Sequence, residues 1–308
     1  MGGVLTGFAI IAFVILVGYL AGRFGVGGPA APFVLNRIAF FVTNPALLFV
    51  TLAHADLKVV FSTQLVVAAV AAIVAGGAYV TLSRLFFRRP APETTIGALG
   101  SGYVNANNIG LPVAVYVLGS ASFVAPVLLL QLIVFAPIAL TVLDATSRGS
   151  VSVRSILTQP VRNPMIIASV LGIVVDATGW RIPDAVFQPF ELLGGAAVPL
   201  VLMAFGMSLH GSRPLQAGHG RIEIVTAVAL KSVLMPVVAF LVARFAFGLD
   251  GHALFAAVAL AALPTAQNVY NFAARYERGM PVARDIVLLT TLFAVPVLLV
   301  VAALLAPA

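Results

Sequence analysis

Apolar residues occur in long runs that are separated by short polar or Pro/Gly-rich stretches. Most runs approach the ~20 residues that an α-helix needs to cross ~30 Å of hydrocarbon. Short segments of alternating polarity, typical of a membrane β-barrel, do not occur. The pattern predicts an all-α polytopic membrane protein with ten spans, near residues 4–22, 33–53, 60–83, 94–118, 122–144, 163–180, 187–209, 222–247, 252–274 and 284–306.

The composition supports this class. Hydrophobic residues make up 61% of the 308 positions and charged residues 9%, and the mean hydropathy is +1.12. A soluble protein carries about 25% charged residues. The first apolar run has no Lys or Arg before it and no small-residue cleavage site after it, so it is interpreted as a retained helix. The absence of cysteine excludes disulfides and thiol chemistry.

Lys and Arg are distributed unequally between the two sides that the spans define. Three lie on the side of the N-terminus, thirteen on the opposite side, and Lys231 lies within a span. The three are Lys58, Arg181 and Arg244, and the thirteen are Arg23, Arg37, Arg84, Arg88, Arg89, Arg148, Arg154, Arg162, Arg213, Arg221, Arg275, Arg278 and Arg284. The positive-inside rule therefore places the thirteen in the cytoplasm and both termini outside it. The net charge of +7 reflects this topology, attraction to anionic lipid follows from it, and nucleic acid is not an expected partner.

The two halves of the chain resemble each other at positions 154 residues apart, and later at positions 159 apart. The corresponding pairs are Gly18 with Gly172, Pro45 with Pro199, Asn105 with Pro264, Asn108 with Gln267, and Pro137 with Pro296. Because each half contains five spans, the second copy must be inverted in the membrane, an arrangement typical of secondary transporters. The predicted organisation is a first repeat at 1–146, a cytoplasmic linker at 147–162 and a second, inverted repeat at 163–308.

Spans four and nine contain polar, helix-breaking sequences, "NANNIGLP" and "LPTAQNVYNF". Each contains a proline that removes a backbone donor, and free backbone groups are tolerated in a bilayer only against protein or a water-filled cavity. If the broken spans cross near the midplane, the N-termini of the half-helices present N–H groups and positive dipole ends that suit a carboxylate. The alternative is that the amides only bond neighbouring helices. The candidate substrate-binding residues are Asn105, Asn107, Asn108, Pro112, Pro264, Gln267, Asn268 and Lys231.

Lys231 lies ten residues after Arg221 and thirteen before Arg244, which places it near mid-membrane. A lysine there normally has a partner or a role. One hypothesis is that it supplies positive charge near the site, offsetting an anionic substrate or standing where a relative would hold a cation. The alternative is that span eight begins later and the side chain snorkels to the cytoplasmic headgroups.

Other chemistry is not indicated. The four histidines lack the spacing of a metal site, and no metal or cofactor is predicted. No nucleophile–base pair, phosphate loop or catalytic carboxylate pair is present, so an enzyme is not expected. Asp285 is predicted to pair with Arg284 at a cytoplasmic helix end. Thr290 and Thr291 could reach the crossing point or could bond their own backbone.

Five motifs together resemble the auxin efflux carrier family, which includes bacterial permeases and the plant PIN proteins: "FFVTNPALLF", "NANNIGLPVAVYVLG", "RNPMIIASVLG", "AAVPLVLMAFGMSL" and "ALPTAQNVYNFAARYE". The resemblance implies ten helices in two inverted five-helix repeats, with broken helices four and nine that cross. It also implies a scaffold and a transport domain, elevator-type alternating access, a bacterial-type plasma membrane and a possible homodimer. Small organic acids such as malonate, other short carboxylates or auxin-like acids would bind at Asn105, Asn108, Pro264, Gln267 and Asn268.

The chain departs from related proteins in two respects. The bile acid sodium symporters share the fold and carry an acid four residues before the Gln–Asn pair, where this chain has Leu263, so sodium coupling is in doubt. The plant carriers have an acid in the third helix near the binding site, whereas span three of this chain has none. Two alternatives remain: a sodium- or proton-coupled ion exchanger on the same scaffold, which should have buried carboxylates at the crossing, and a non-transporting membrane receptor. A receptor would need a signalling domain, and the longest loop, 146–162, is short for one.

Overall fold

The structure is a computed structural model that describes residues 2–54, 63–148, 163–210 and 220–307. In these ranges the chain is helical, without strands, apart from loops and one isolated β-bridge. The α-helices are α1 (Gly2–Arg23), α2 (Ala31–Ile38), α3 (Asn44–Leu52), α4 (Thr63–Leu82), α5 (Ala91–Gly102), α6 (Leu111–Tyr116), α7 (Ala125–Leu130), α8 (Ala136–Arg148), α9 (Pro164–Thr178), α10 (Asp184–Gly195), α11 (Ala197–Leu209), α12 (Arg221–Ala229), α13 (Met235–Leu241), α14 (Gly251–Ala261), α15 (Gln267–Tyr276) and α16 (Met280–Leu305).

Shorter helical segments extend several of these α-helices. A 3₁₀ turn covers Ala121–Phe123, before α7. The π-helical segments are π1 (Ala39–Thr43), π2 (Ser83–Phe87), π3 (Ala106–Gly110), π4 (Gln131–Phe135), π5 (Leu230–Leu234) and π6 (Val242–Ala246).

Helical structure is present in each of the ten predicted ranges. Among the described residues, six continuous stretches are long and apolar enough to cross a membrane: Ala31–Leu52, Thr63–Phe87, Ala121–Thr146, Asp184–Leu209, Arg221–Ala246 and Met280–Leu305. Ala9–Arg23, Pro164–Thr178 and Gly251–Ala261 are shorter apolar helices. The protein is therefore an all-helical, multi-pass membrane protein, and the first, fourth, sixth and ninth spans stay predictions.

Helix α9 shows how local sequence sets a helix boundary. Asn163 precedes it, and its side-chain oxygen accepts hydrogen bonds from the backbone N–H groups of Met165 and Ile166, at 2.9 and 3.4 Å. Pro164 occupies the first turn, where its missing N–H costs nothing. The helix ends at Gly179, which adopts a left-handed conformation with φ 63°.

Proline accounts for most of the π-helical segments. Four of the six end two residues before a proline: π1 before Pro45, π3 before Pro112, π4 before Pro137 and π5 before Pro236. A proline ring crowds the preceding turn and supplies no N–H, so a regular α-helix is disfavoured there. The wider turn accommodates it; at the end of π5, for example, the N–H of Met235 bonds the carbonyl of Leu230, five residues back.

The chain forms two compact units, and each contains segments from both halves of the sequence. Unit 1 comprises Met1–Ser62, Asn107–Pro126 and Pro160–Ser212, and unit 2 comprises Thr63–Ala106, Val127–Gln159 and Arg213–Ala308. The units therefore do not coincide with the predicted repeats. Of the predicted linker at 147–162, residues 149–162 lie outside the described part of the chain.

Glycines bring helices of unit 1 close together. Helix α1 packs along α11, where Gly206 lies so near the backbone of Ile15 that a Cβ there would overlap the carbonyl oxygen. Gly18 lies similarly close to the backbone of Met203. Small residues at such positions let the helix backbones approach closely. Van der Waals packing can then hold the helices together in a bilayer, where the hydrophobic effect does not.

Unit 2 has an extensive apolar core. One cluster joins α5, α8, α15 and α16 and is centred on Ile96, Leu143 and Val269, each fully buried. A second cluster joins α4, α12 and α16 through Tyr79, Ile224 and Ile286. These contacts hold α5 and α15 in place, and each of these helices adjoins a break in its span.

Candidate functional site

Two helix breaks pair with each other inside unit 2. Helix α5 ends at Gly102 and π3 begins at Ala106, while α14 ends at Ala261 and α15 begins at Gln267. Val104 and Thr265 form an isolated antiparallel bridge between the gaps. The N–H of Asn105 bonds the carbonyl of Pro264 at 2.7 Å, and the N–H of Ala266 bonds the carbonyl of Tyr103 at 3.0 Å. We call Tyr103–Asn105 and Pro264–Ala266 the paired breaks.

Threonine side chains complete the hydrogen bonding of the paired breaks. The buried Thr265 hydroxyl donates to the carbonyl of Gly100 at 2.6 Å. Its backbone N–H donates to the Thr290 hydroxyl at 3.1 Å, while that hydroxyl donates to the carbonyl of Ile286 at 2.8 Å. Thr290 thus reaches the crossing and also bonds its own helix, whereas the Thr291 hydroxyl bonds the carbonyl of Val287. Unpaired backbone groups at a break are costly in a bilayer, and these bonds satisfy them.

The other predicted residues of span nine begin α15. Gln267 is its first residue and has an exposed side chain, and Asn268 is half-buried. Their backbone N–H groups belong to the first turn, where intrahelical acceptors are lacking. Asn105, by contrast, is 7% exposed. The structure brings Asn105 and Pro264 into direct contact.

Lys231 lies in π5 and is 1% exposed. Its ammonium group donates a hydrogen bond to the carbonyl oxygen of Ala261 at 2.8 Å. Span eight begins at Arg221 and is helical from there, so the alternative of a later start with a snorkelling lysine does not describe the structure. The side chain instead meets the last residue of α14, at the edge of the paired breaks.

Asn107 and Asn108 belong to unit 1, where they join two asparagines of span two. The Nδ2 of Asn44 donates to Oδ1 of Asn107 at 2.8 Å, and the Nδ2 of Asn107 donates to Oδ1 of Asn108 at 2.7 Å. The Nδ2 of Asn108 donates to Oδ1 of Asn36 at 3.3 Å, and Asn36 donates to the carbonyl of Pro32. We call these four residues the asparagine ladder. Asn107 both donates and accepts within it, which supports a packing role for this residue.

Pro112 lies in the first turn of α6, directly after the asparagine ladder, and is buried. Its role there is conformational, because π3 precedes it in the pattern seen at the other prolines.

Asn36, Asn44 and Thr265 were not predicted to be functional residues. Asn44 directly follows π1 and precedes Pro45, and Thr265 follows Pro264 within the helix-breaking sequence of span nine, so both positions carried a usable signal. Asn36 carried none, because its partner Asn108 lies 72 residues away in the sequence.

The chain matches the model of the family described as "Membrane transport protein" over residues 4–149 and 145–302. This chain belongs to that family. The family includes auxin efflux carriers, so the resemblance drawn from the five motifs is confirmed.

Relatives of this membrane transport protein carry the names of transporters. "Putative malonate transporter" of Rhizobium meliloti is 25% identical over 299 residues, 94% of this chain and 92% of the relative. "Uncharacterized transporter YfdV" of Escherichia coli is 28% identical over 284 residues, 87% of this chain and 86% of the relative. "Probable auxin efflux carrier component 5c" of Oryza sativa is 29% identical over 143 residues, 45% of this chain and 38% of the relative. The names are those of transporters and carriers, in agreement with a non-enzymatic function.

Three buried carboxylates of the transport protein already have hydrogen-bond donors. Asp144 accepts from the Tyr276 hydroxyl at 2.7 Å, Glu223 from Nε of Arg89 at 2.7 Å, and Asp285 from Nε of Arg284 at 2.8 Å. The predicted Arg284–Asp285 pair is therefore present. The hydrogen bond from Glu223 raises the pKa of Arg89, which lies in the loop before α5. These pairs engage the three acids in structural contacts.

Proposed function

We propose that this protein is a secondary active transporter of a small organic anion, a short carboxylate such as malonate or an auxin-like acid. The observation that carries the proposal is the pairing of two broken helices in unit 2. Non-helical backbone at membrane depth is tolerated where it is buried in protein or lines a cavity, and in secondary transporters broken helices of this kind form the substrate site. Here the breaks are held by backbone bonds at Asn105 and Pro264 and by Thr265 and Thr290.

The chemistry of the paired breaks favours a carboxylate. Helix α15 presents its N-terminal N–H groups and the positive end of its dipole at Gln267. The amides of Gln267 and Asn268 stand in the same turn and can donate to carboxylate oxygens. Lys231 adds a positive charge in the same unit. In this proposal Asn105, Pro264, Gln267 and Asn268 contact the substrate, whereas Asn107 and Asn108 stay predicted substrate contacts.

Contacts related by the sequence offsets support the proposed inverted repeat of ten helices. In unit 1, Gly18 contacts the backbone of Met203 and Gly172 contacts that of Phe49. Gly18 and Gly172 are 154 residues apart, and so are Phe49 and Met203, so the two contacts exchange under the offset. In unit 2, the bonded residues Asn105 and Pro264 are 159 apart, the second offset. Within each unit, a local two-fold relation between its two segments would produce the observed correspondence.

The remaining parts of the proposal follow from the family. Alternating access of the elevator type would carry the anion on one compact unit. The proposed location is a bacterial-type plasma membrane with both termini outside the cytoplasm, and a homodimer is the proposed assembly. The ion-exchanger alternative has less support, because Asp144, Glu223 and Asp285 have donors of their own.

The test is uptake of labelled malonate, lactate, malate and indole-acetate into proteoliposomes, with and without ion gradients. We expect saturable uptake of at least one of these acids that its unlabelled form inhibits. Liposomes without protein are the control. Uptake at the level of these empty liposomes for every short carboxylate would contradict the proposal.

A further inference from the structure

The side chain of Lys231 caps the C-terminal end of a broken helix in unit 2. The carbonyl of Ala261 is that of the last residue of α14, just before the paired breaks. Such terminal carbonyls have no intrahelical donor and carry the negative end of the helix dipole. The ammonium group of Lys231 donates to this carbonyl at 2.8 Å while the residue is 1% exposed.

The charge of Lys231 is not balanced by an acid in the part of the chain that the structure describes. Within the described residues, no carboxylate lies within ion-pair distance of its ammonium group, and the buried acids bond other donors. A buried, unpaired cation is costly, so it persists where the surroundings favour positive charge. The C-terminal end of α14 supplies that field.

In secondary transporters, the C-terminal end of a broken helix often binds a free cation. Carbonyls of unwound segments and the C-terminal ends of half-helices coordinate coupling ions such as sodium. We propose that Lys231 is a tethered cation that occupies this position, so that the protein needs no free metal cation there. As a statement about transport this rests on the proposed function. The ammonium group positions the paired breaks by holding the end of α14.

The space around the carbonyl fits this assignment. A cavity of about 10 Å³ lies in unit 2 beside Ala261, with Val104 and Gln131 also in its lining. That volume admits about one water molecule. The cavity is too small for a sodium ion with a hydration shell, whereas removal of the lysine side chain would open space next to the carbonyl of Ala261.

The experiment compares cations at equal ionic strength. The purified full-length protein is heated in NaCl, KCl and choline chloride, and its melting temperature is recorded. For the unaltered protein we expect the same melting temperature in all three salts. For Lys231→Ala we expect an upward shift of about 2–4 °C in NaCl or KCl relative to choline chloride, because the open carbonyl can bind a small cation. Arg244→Ala, which removes an exposed charge from the same helical run, should show no such shift.

Transport supplies the second readout. Anion uptake by the unaltered protein should be equal with sodium and with choline outside, and Lys231→Ala should lose about tenfold or more in choline. Lys231→Arg keeps the charge and should retain part of the uptake without acquiring a sodium requirement. If Lys231→Ala does not fold, the inference is still tested by the sodium dependence of the melting temperature of the unaltered protein and of uptake by Lys231→Arg.

Three results would overturn the inference. They are a sodium-specific rise in the melting temperature of the unaltered protein, sodium dependence of Lys231→Arg, and a folded Lys231→Ala that transports normally with no cation-specific shift. A protein that takes up no organic anion in any salt would instead overturn the proposed function. The melting temperatures would still decide whether Lys231 holds the cation position.

Discussion

The Asn44 side chain is polar but lies in a buried position where only one of its two amide atoms is hydrogen-bonded among the described residues. It is fully buried, its Nδ2 donates to Asn107, and within the described residues its Oδ1 has no hydrogen-bond partner. The ladder that starts at Asn44 runs in one direction, each amide donating to the next until the last reaches the carbonyl of Pro32. Removing its first donor should therefore affect every bond that follows.

We predict that Asn44→Ala lowers the free energy of unfolding by about 1–3 kcal/mol, because Oδ1 of Asn107 loses its donor while half-buried. Thermal unfolding of the purified protein in detergent measures this. Asn271→Ala, at an exposed position of α15, is the matched control and should leave the melting temperature unchanged. Equal stability of Asn44→Ala and the unaltered protein would show that the ladder contributes nothing to folding.

The amides at the breaks yield a second prediction. Asn105→Ala, Asn108→Ala and Gln267→Ala should each reduce anion uptake by roughly two- to tenfold, the effect of losing one hydrogen bond to substrate, while the protein still inserts and folds. Size-exclusion chromatography checks folding and proteoliposome uptake checks function, again with Asn271→Ala as the control. Wild-type rates in all three variants would favour the packing interpretation of these amides.

Single residues could be predicted from sequence where their own position was informative. Lys231 stood out because a lysine within an apolar run is rare, and the structure places it, buried, at a helix break. Its partner could not be predicted, because a backbone carbonyl thirty residues away has no sequence signature. The role of Asn36 in the ladder could not be predicted for the same reason, because only folding brings Asn108 within hydrogen-bond distance of it.

At the level of elements, apolar runs predicted where helices lie, and Pro264 lies in the break of span nine. The break of span four lies at Tyr103–Asn105, before Pro112, so that proline did not predict its position. The π-helical segments were not predicted. Their rule is simple in retrospect, since four precede a proline by two residues, but proline alone does not decide the outcome. Pro296 lies within α16 without a π-helical segment, and Pro189 lies within α10. The neighbouring helices that permit the wider turn are not visible in one sequence.

Close packing between α1 and α11 leads to a third prediction. In Gly206→Ala the new methyl group would overlap the backbone oxygen of Ile15, and a backbone cannot move aside as a side chain can. We expect a loss of about 1–3 kcal/mol in stability. Gly77→Ala, on an exposed face of α4 with open space around it, is the control and should be neutral or stabilising. A Gly206→Ala protein as stable as the control would mean that the helices separate freely at this point.

For the whole molecule, hydropathy predicted the class and the family motifs predicted the relationship. The assignment of segments to the two compact units could not be predicted from the sequence, because each unit combines segments that are far apart in the chain. Hydropathy describes one segment at a time and contains no information about which segments pack together.

The orientation of the molecule is the fourth prediction. Thirteen Lys and Arg residues on one side of the predicted spans against three on the other require both termini outside the cytoplasm. An alkaline phosphatase fused after Ala308 should be active in intact bacteria, and a fluorescent protein fused there and exported unfolded should be dark. The same fusions after Arg148 are the control and should behave in the opposite way. Fluorescence from the C-terminal fusion would mean that the number of spans or the orientation is wrong.

The interleaving of the two units has a consequence for biosynthesis. Unit 1 needs α11, which ends at Leu209, and unit 2 needs α16, which ends at Leu305. The first five predicted spans therefore leave the ribosome well before either unit can be completed. The fourth span must therefore wait in the bilayer with its break at Tyr103–Asn105 unpaired until Pro264 is synthesised. The insertion machinery, or a chaperone beside it, has to shelter this break during that interval.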